Sequence, residues 1–208
     1  MSWIRLIEPS EAPESIRRTY IRVSKNERAV DNIPKAHSLR PHTLEGHLAL
    51  HRSVLHHDAN RLPMWLRESL GVYVSILNGC QYCIEHHSRG LKRALDDDDR
   101  ADAILQALAS SEYGLAFSPR ERTLLEYARL LTMEPSGIRE STIVKLRNAG
   151  WDDGEILEAN QIISYFAYAN RTALRLGVQL QLECAEPPLI IRGWMHHGHR
   201  CQTLHCPS

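Results

Sequence analysis

Between two stretches of helical periodicity, about Pro63 to Leu77 and about Cys80 to Ala94, stands the dipeptide Asn78-Gly79. It constrains the fold more than any other feature of the chain. Glycine enters left-handed backbone without a β-carbon penalty, so Asn-Gly suits a helix stop followed by a tight turn. Helices joined this closely run antiparallel, and residues equidistant from the turn share one height. Glu68 and His87 are nearly equidistant from it, which places a carboxylate within reach of an imidazole.

Helical signals dominate elsewhere too, and no strand-like alternation bounded by hairpin turns is evident. Helices are expected over Pro13 to about Lys25, Pro41 to about His57 and about Arg139 to Asn148, with a break over the segment that ends at Pro34. The acidic run Asp96 to Asp99 suits a helix N-terminus, where the macrodipole favours negative charge. Ser118-Pro119-Arg120-Glu121 and Asp152-Asp153-Gly154-Glu155 read as two further starts of the capping-box kind. The last helix, to about Leu176, carries Ile156, Ala159, Ile163, Phe166 and Ala167 on an apolar stripe expected to be core or subunit interface. The fold class is therefore all-α.

The chain has 208 residues, 43% hydrophobic and 24% charged, a globular balance that needs no disulfide staple. No apolar run approaches the ~20 residues that span a bilayer. Lys plus Arg equals Asp plus Glu at 25 each, which removes the electrostatic case for nucleic acid or an anionic membrane as partner. The first residues show no basic region leading into a long apolar stretch, so the expected location is cytoplasmic. Five cysteines, an odd and uneven set (Cys80, Cys83, Cys184, Cys201, Cys206), do not form a secreted disulfide framework. Domain 1–185 is read as the helical unit. Residues 186–208 form a tail with His196, His197, His199, Cys201, His205 and Cys206, ligand types for soft or borderline metals in no specific motif spacing.

On an ideal helix Cys80, Cys83 and His87 share a stripe roughly 60° wide. A free thiol is only about 3% thiolate at pH 7, and lowering its pKa to ~6.5 raises that to about three quarters. A helix N-terminus and an imidazole held by Glu68 are the means to do so. Side chains three apart on a helix have β-carbons about 5–6 Å apart, so closing a disulfide needs adjustment at the first turn. Three readings of the set stand at this point: a redox pair, a metal site, or inert structural thiols. The histidines of the second helix, His42, His47, His51, His56 and His57, are expected to be solvated or hydrogen-bonded rather than metal ligands.

The stretch from Glu68 to His87, ESLGVYVSILNGCQYCIEHH, resembles the alkylhydroperoxidase D (AhpD) family within the carboxymuconolactone decarboxylase-like superfamily, particularly its peroxidase-related branch. The segments SPRERTLLEYARLLT and GWDDGEILEANQIISYFAYANRTALRLGV look like the downstream part of that branch, so the resemblance covers roughly residues 5 to 180. It implies an AhpD-like helical bundle, homo-oligomers often built from trimers, and hydroperoxide reduction by a redox-active cysteine pair with no bound cofactor. Under it, Cys83 corresponds to the peroxidatic cysteine, Cys80 to its more exposed disulfide partner, and Glu68 with His87 to the proton relay. Electrons come from an external dithiol donor, lipoyl-bearing or thioredoxin-like. Tyr82 occupies a position that is histidine in the best-known members, and a phenol of pKa near 10 is a poor proton shuttle. Two other functions remain alongside: lactone decarboxylation with His87 as acid or base, and metal binding or redox sensing without turnover.

Overall fold

A computed structural model describes residues 2–24 and 30–179. Cys184, the tail histidines and cysteines, and the expected boundary at residue 185 lie outside the described residues. Within them the architecture is all-α: α1 (Glu14–Ser24), α2 (Asn32–His37), α3 (Pro41–His51), α4 (Met64–Asn78), α5 (Gln81–Leu95), α6 (Asp98–Ser110), α7 (Pro119–Met133), α8 (Glu140–Asn148) and α9 (Asp153–Arg175). A π-helical turn, Arg52–His56, extends α3. No helix among the described residues is long and apolar enough to cross a membrane.

The starts read from sequence are built as chemistry requires. Ser118 accepts from the Glu121 N–H while Glu121 bonds back to the Ser118 N–H, and Asp152 and Glu155 do the same for α9. Asp97 caps α6 through the Arg100 N–H at 2.9 Å. Each such cap contributes about 1 kcal/mol by satisfying an N–H that the helix leaves without a partner. The expected break does not reach Pro34, which is the third residue of α2. The first four N–H groups of a helix have no intrahelical acceptor, so a proline there forfeits no bond.

Helix α4 lies at the centre, packed against α5, α6, α7 and α9. Its Leu66, Leu70, Tyr73 and Val74 join Leu91, Ile104, Leu108, Leu124, Ile162, Ile163 and Phe166 in the main core. Burying each large side chain contributes ~1.5–3 kcal/mol. The expected stripe of α9 is buried except for Ala167, which is half-exposed. A second, smaller cluster gathers Ile33, Ala36, Cys80, Tyr82, Cys83, Ala173 and Val178. The sulfur-bearing end of the hairpin is thus roofed by α2 and by the end of α9.

Candidate active site

Helix α4 ends in two backbone bonds, Cys80 N–H to Ser75 O at 2.8 Å and Gly79 N–H to Ile76 O at 3.0 Å. Gly79 supplies the left-handed residue at φ 70°. This paired pattern ends a helix abruptly, so the very next residue is free to begin another. Cys80 does so as the N-cap of α5, at φ −88° and ψ 87°. Because Cys80 lies outside the helical register, the i,i+3 spacing of a regular helix does not govern its side chain. Its Sγ comes within 2.8 Å of Cys83 Sγ. Both are free thiols, and a small side-chain rotation separates them from the ~2.05 Å of a disulfide.

Cys80 is not the more exposed partner: Cys80 is 1% and Cys83 3% exposed. Ile33 and Ala36 of α2, Val178, and the half-buried Ile4, Leu6, Leu174 and Leu176 pack around them. The pair is electrostatically unequal. A hydrogen bond from the Cys83 thiol, helped by the Cys83 backbone N–H, holds Cys80 below the ordinary thiol range against the opposing effect of burial. The same contact and burial push Cys83 up. Within the pair, the contact therefore favours Cys80 over Cys83 as the thiol that gives up its proton first.

One turn beyond Cys83, His87 Nδ1 lies 2.7 Å from Glu68 Oε2. Glu68 is 4% and His87 9% exposed. Three residues hold this pair in place. A β-carbon on Gly90 would sit 2.5 Å from Glu68 Oε1, so the carboxylate occupies room that only glycine leaves. Phe166 meets the His87 ring edge-to-face at a centroid distance of 4.5 Å. Gly71 in turn admits the Phe166 ring, which a β-carbon there would overlap. Sequence reasoning overlooked Gly71 and Gly90; the available signal was a glycine inside a helix, where it costs about 1 kcal/mol unless something packs against it. Tyr82 is buried beside the cysteines, and burial raises its phenol further, so it stays protonated.

Two histidines of α3, His47 and His51, face inward as well, whereas His42 is exposed as expected. His47 is buried and stacks on His37 at 4.6 Å, and its Nδ1 has no hydrogen-bond partner. The His51 ring lies 6.3 Å from His87, 5.7 Å from Tyr165 and 4.9 Å from His56. Burial lowers His47 to about 4 and His51 to about 2, with neighbouring histidines adding to it, so both are neutral imidazoles. Among the described residues no group of three or more His, Cys, Asp or Glu is arranged to hold a metal ion.

Residues 41–130 match the model of the carboxymuconolactone decarboxylase family, and this segment contains the hairpin with Glu68, Cys80, Cys83 and His87. A solved structure from Ralstonia eutropha JMP134, described as an alkylhydroperoxidase AhpD core and an uncharacterized peroxidase-related protein, superposes with a TM-score of 0.76 at 24% identity, over 88% of this chain and 93% of that one. The chain thus has the AhpD-like fold, and its residues 41–130 carry the carboxymuconolactone decarboxylase family pattern. The uncharacterized protein YdfG of Bacillus subtilis (strain 168) is 24% identical over 111 residues, 53% of this chain and 73% of YdfG. The debrominase Bmp8, solved as a cysteine-to-alanine variant with 2,3,4-tribromopyrrole, shares the fold with a TM-score of 0.69 at 19% identity, over 93% of this chain and 99% of that one.

Proposed function

We propose that the protein is a thiol-dependent peroxidase that reduces hydroperoxides through a Cys80–Cys83 dithiol. The observation that carries the reading is the pair of sulfurs 2.8 Å apart, one helical turn from an imidazole bonded to a buried carboxylate. Residues four apart on a helix face the same side, so Cys83 and His87 are neighbours.

In this reading His87 takes the proton of the Cys83 thiol, and the Cys83 thiolate attacks the distal oxygen of the hydroperoxide. The O–O bond breaks, and the leaving alkoxide recovers that proton from His87 as an alcohol. Cys83 is now a sulfenic acid. The Cys80 thiolate attacks its sulfur, forming the disulfide and releasing hydroxide, which a second proton converts to water. Glu68 orients His87 and stabilises its charged form. An external dithiol then reduces the disulfide by exchange. Cys83 needs the base because burial and the Cys80 sulfur keep its proton on at rest.

Sulfenic-acid trapping tests the assignment. Under one equivalent of cumene hydroperoxide with dimedone, Cys80→Ser is expected to accumulate a dimedone adduct on Cys83, and Cys83→Ser to lose thiol-dependent turnover. An adduct on Cys80 in Cys83→Ser, with turnover retained, exchanges the two roles. Turnover of a carboxymuconolactone by the Cys80→Ser, Cys83→Ser double variant would instead favour decarboxylation. The likeness to Bmp8 makes bromopyrroles a second electrophile to assay with the same dithiol.

A further inference from the structure

The peroxidase reading creates a demand for a proton inside a closed site. One proton is internal, passing from Cys83 to His87 and on to the alkoxide. The second turns hydroxide into water when the disulfide forms, and it comes from outside the pair when Cys80, whose thiol is held below its ordinary range by the contact with Cys83, attacks as the thiolate. It must enter from solvent past side chains that leave both sulfurs almost wholly covered.

We propose that His51 and His56 form the path by which protons pass between solvent and His87. The inference rests on the peroxidase reading above. His87 is buried, His51 half-buried and His56 exposed, so the three rings descend in burial from the site to the surface. The centroid steps are 6.3 Å from His87 to His51 and 4.9 Å from His51 to His56. A single bridging water or a small ring rotation closes the longer step.

The local backbone explains why these two histidines meet. Residues five apart on an α-helix point about 140° away from each other. Arg52–His56 is instead a π-helical turn, whose i→i+5 repeat returns His56 to the face occupied by His51. Such turns occur mostly as single insertions within α-helices, frequently at functional sites.

The groups around His51 come from every element packed on it. His47 lies on α3, His56 on the π turn, His86 and His87 on α5, and Tyr165 on α9. Glu68 of α4 acts on His56 and, by its hydrogen bond, on His87. None but Glu68 brings negative charge at neutral pH, so His51 stays neutral and passes a proton by accepting at one ring nitrogen while releasing from the other. This supplies a second imidazole where Tyr82 has a phenol that does not shuttle.

The test uses the full chain with His56→Gln and His51→Gln, following disulfide formation in single turnover at pH 7 with increasing imidazole buffer. Wild type is expected to be independent of buffer concentration. Both variants are expected to slow about 10-fold or more in dilute buffer and to recover in proportion to added imidazole. His56 is exposed, so its replacement leaves the core intact, and thermal melts of both variants check the fold. Variants that match wild type in dilute buffer overturn the path, as does a loss that imidazole does not restore. If the wild-type chain never forms the disulfide, the peroxidase reading falls and the path with it.

Discussion

Gly90 and the Glu68 carboxylate share a space that admits no β-carbon: one placed on Gly90 lies 2.5 Å from Oε1 and 2.9 Å from Oε2. Helix propensity alone makes Gly90→Ala stabilising by about 1 kcal/mol. The contact reverses that sign, because the buried carboxylate has to move off His87 to make room. Gly90→Ala is expected to lower stability by about 1–3 kcal/mol, as overpacking does. It is also expected to slow peroxide reduction about 10²-fold through a misplaced imidazole. Denaturant melts and single-turnover thiol loss measure the two effects. A stabilised variant with wild-type rate contradicts the geometry.

Glu68→Gln separates charge from shape at the same place. The amide keeps a hydrogen bond to His87 Nδ1 but no longer stabilises an imidazolium, so the peroxide step is expected to fall about 10²-fold with little change in melting temperature. Glu68→Ala leaves a buried imidazole N–H without an acceptor and is expected to cost a further 1–3 kcal/mol, roughly, in stability. Equal rates in Glu68→Gln and wild type would remove Glu68 from the relay.

Much of this site is legible in the sequence because its logic is local. Gly79 announces the end of α4, the hairpin sets Glu68 level with His87, and the Cys-x2-Cys-x3-His spacing puts the thiols near the imidazole. What escapes depends on side chains brought together from distant segments. Gly90 has meaning only once Glu68 lies across it, and Phe166 reads as ordinary core until it is seen against His87. His51 looks solvated because a helical wheel cannot show that α3 turns it toward α5 and α9. Cys80 escapes for a different reason: a wheel assigns it an angle, yet as N-cap it has left the helix. Pro34 is misread because a proline looks the same at a break and in a first helical turn.

The buried neutral histidines make stability fall in acid. His47 drops from 6.5 to about 4, through burial first and the His37 charge second. Between those values the unfolded chain binds a proton that the folded chain refuses, so unfolding gains ground as pH falls and the contribution is complete above 6.5. At 1.36 kcal/mol per pH unit, His47 alone accounts for roughly 3 kcal/mol between pH 6.5 and 4. Urea midpoints are expected to be flat from pH 8 to 7 and to decline below 6.5, with a shallower decline in His47→Gln. Identical pH profiles for the two proteins would contradict the burial assigned to His47.

Replacing Cys83 by alanine removes the thiol that holds Cys80 low. The Cys80 thiolate, followed by its absorbance at 240 nm, is expected to titrate at a higher pH in Cys83→Ala than in Cys83→Ser, whose hydroxyl still donates. If both variants titrate together, the charge on Cys80 owes nothing to its neighbour.

Cys80 and Cys83 are expected to be oxidised as a pair by a hydroperoxide. The direct measurement is intact mass and free-thiol count on the reduced full chain, before and after one equivalent of cumene hydroperoxide, with peptide mapping of any new bond. A loss of about two daltons and two thiols, mapped to Cys80–Cys83, is the predicted result. Unchanged thiols, or oxidation confined to Cys184, Cys201 and Cys206, would contradict it.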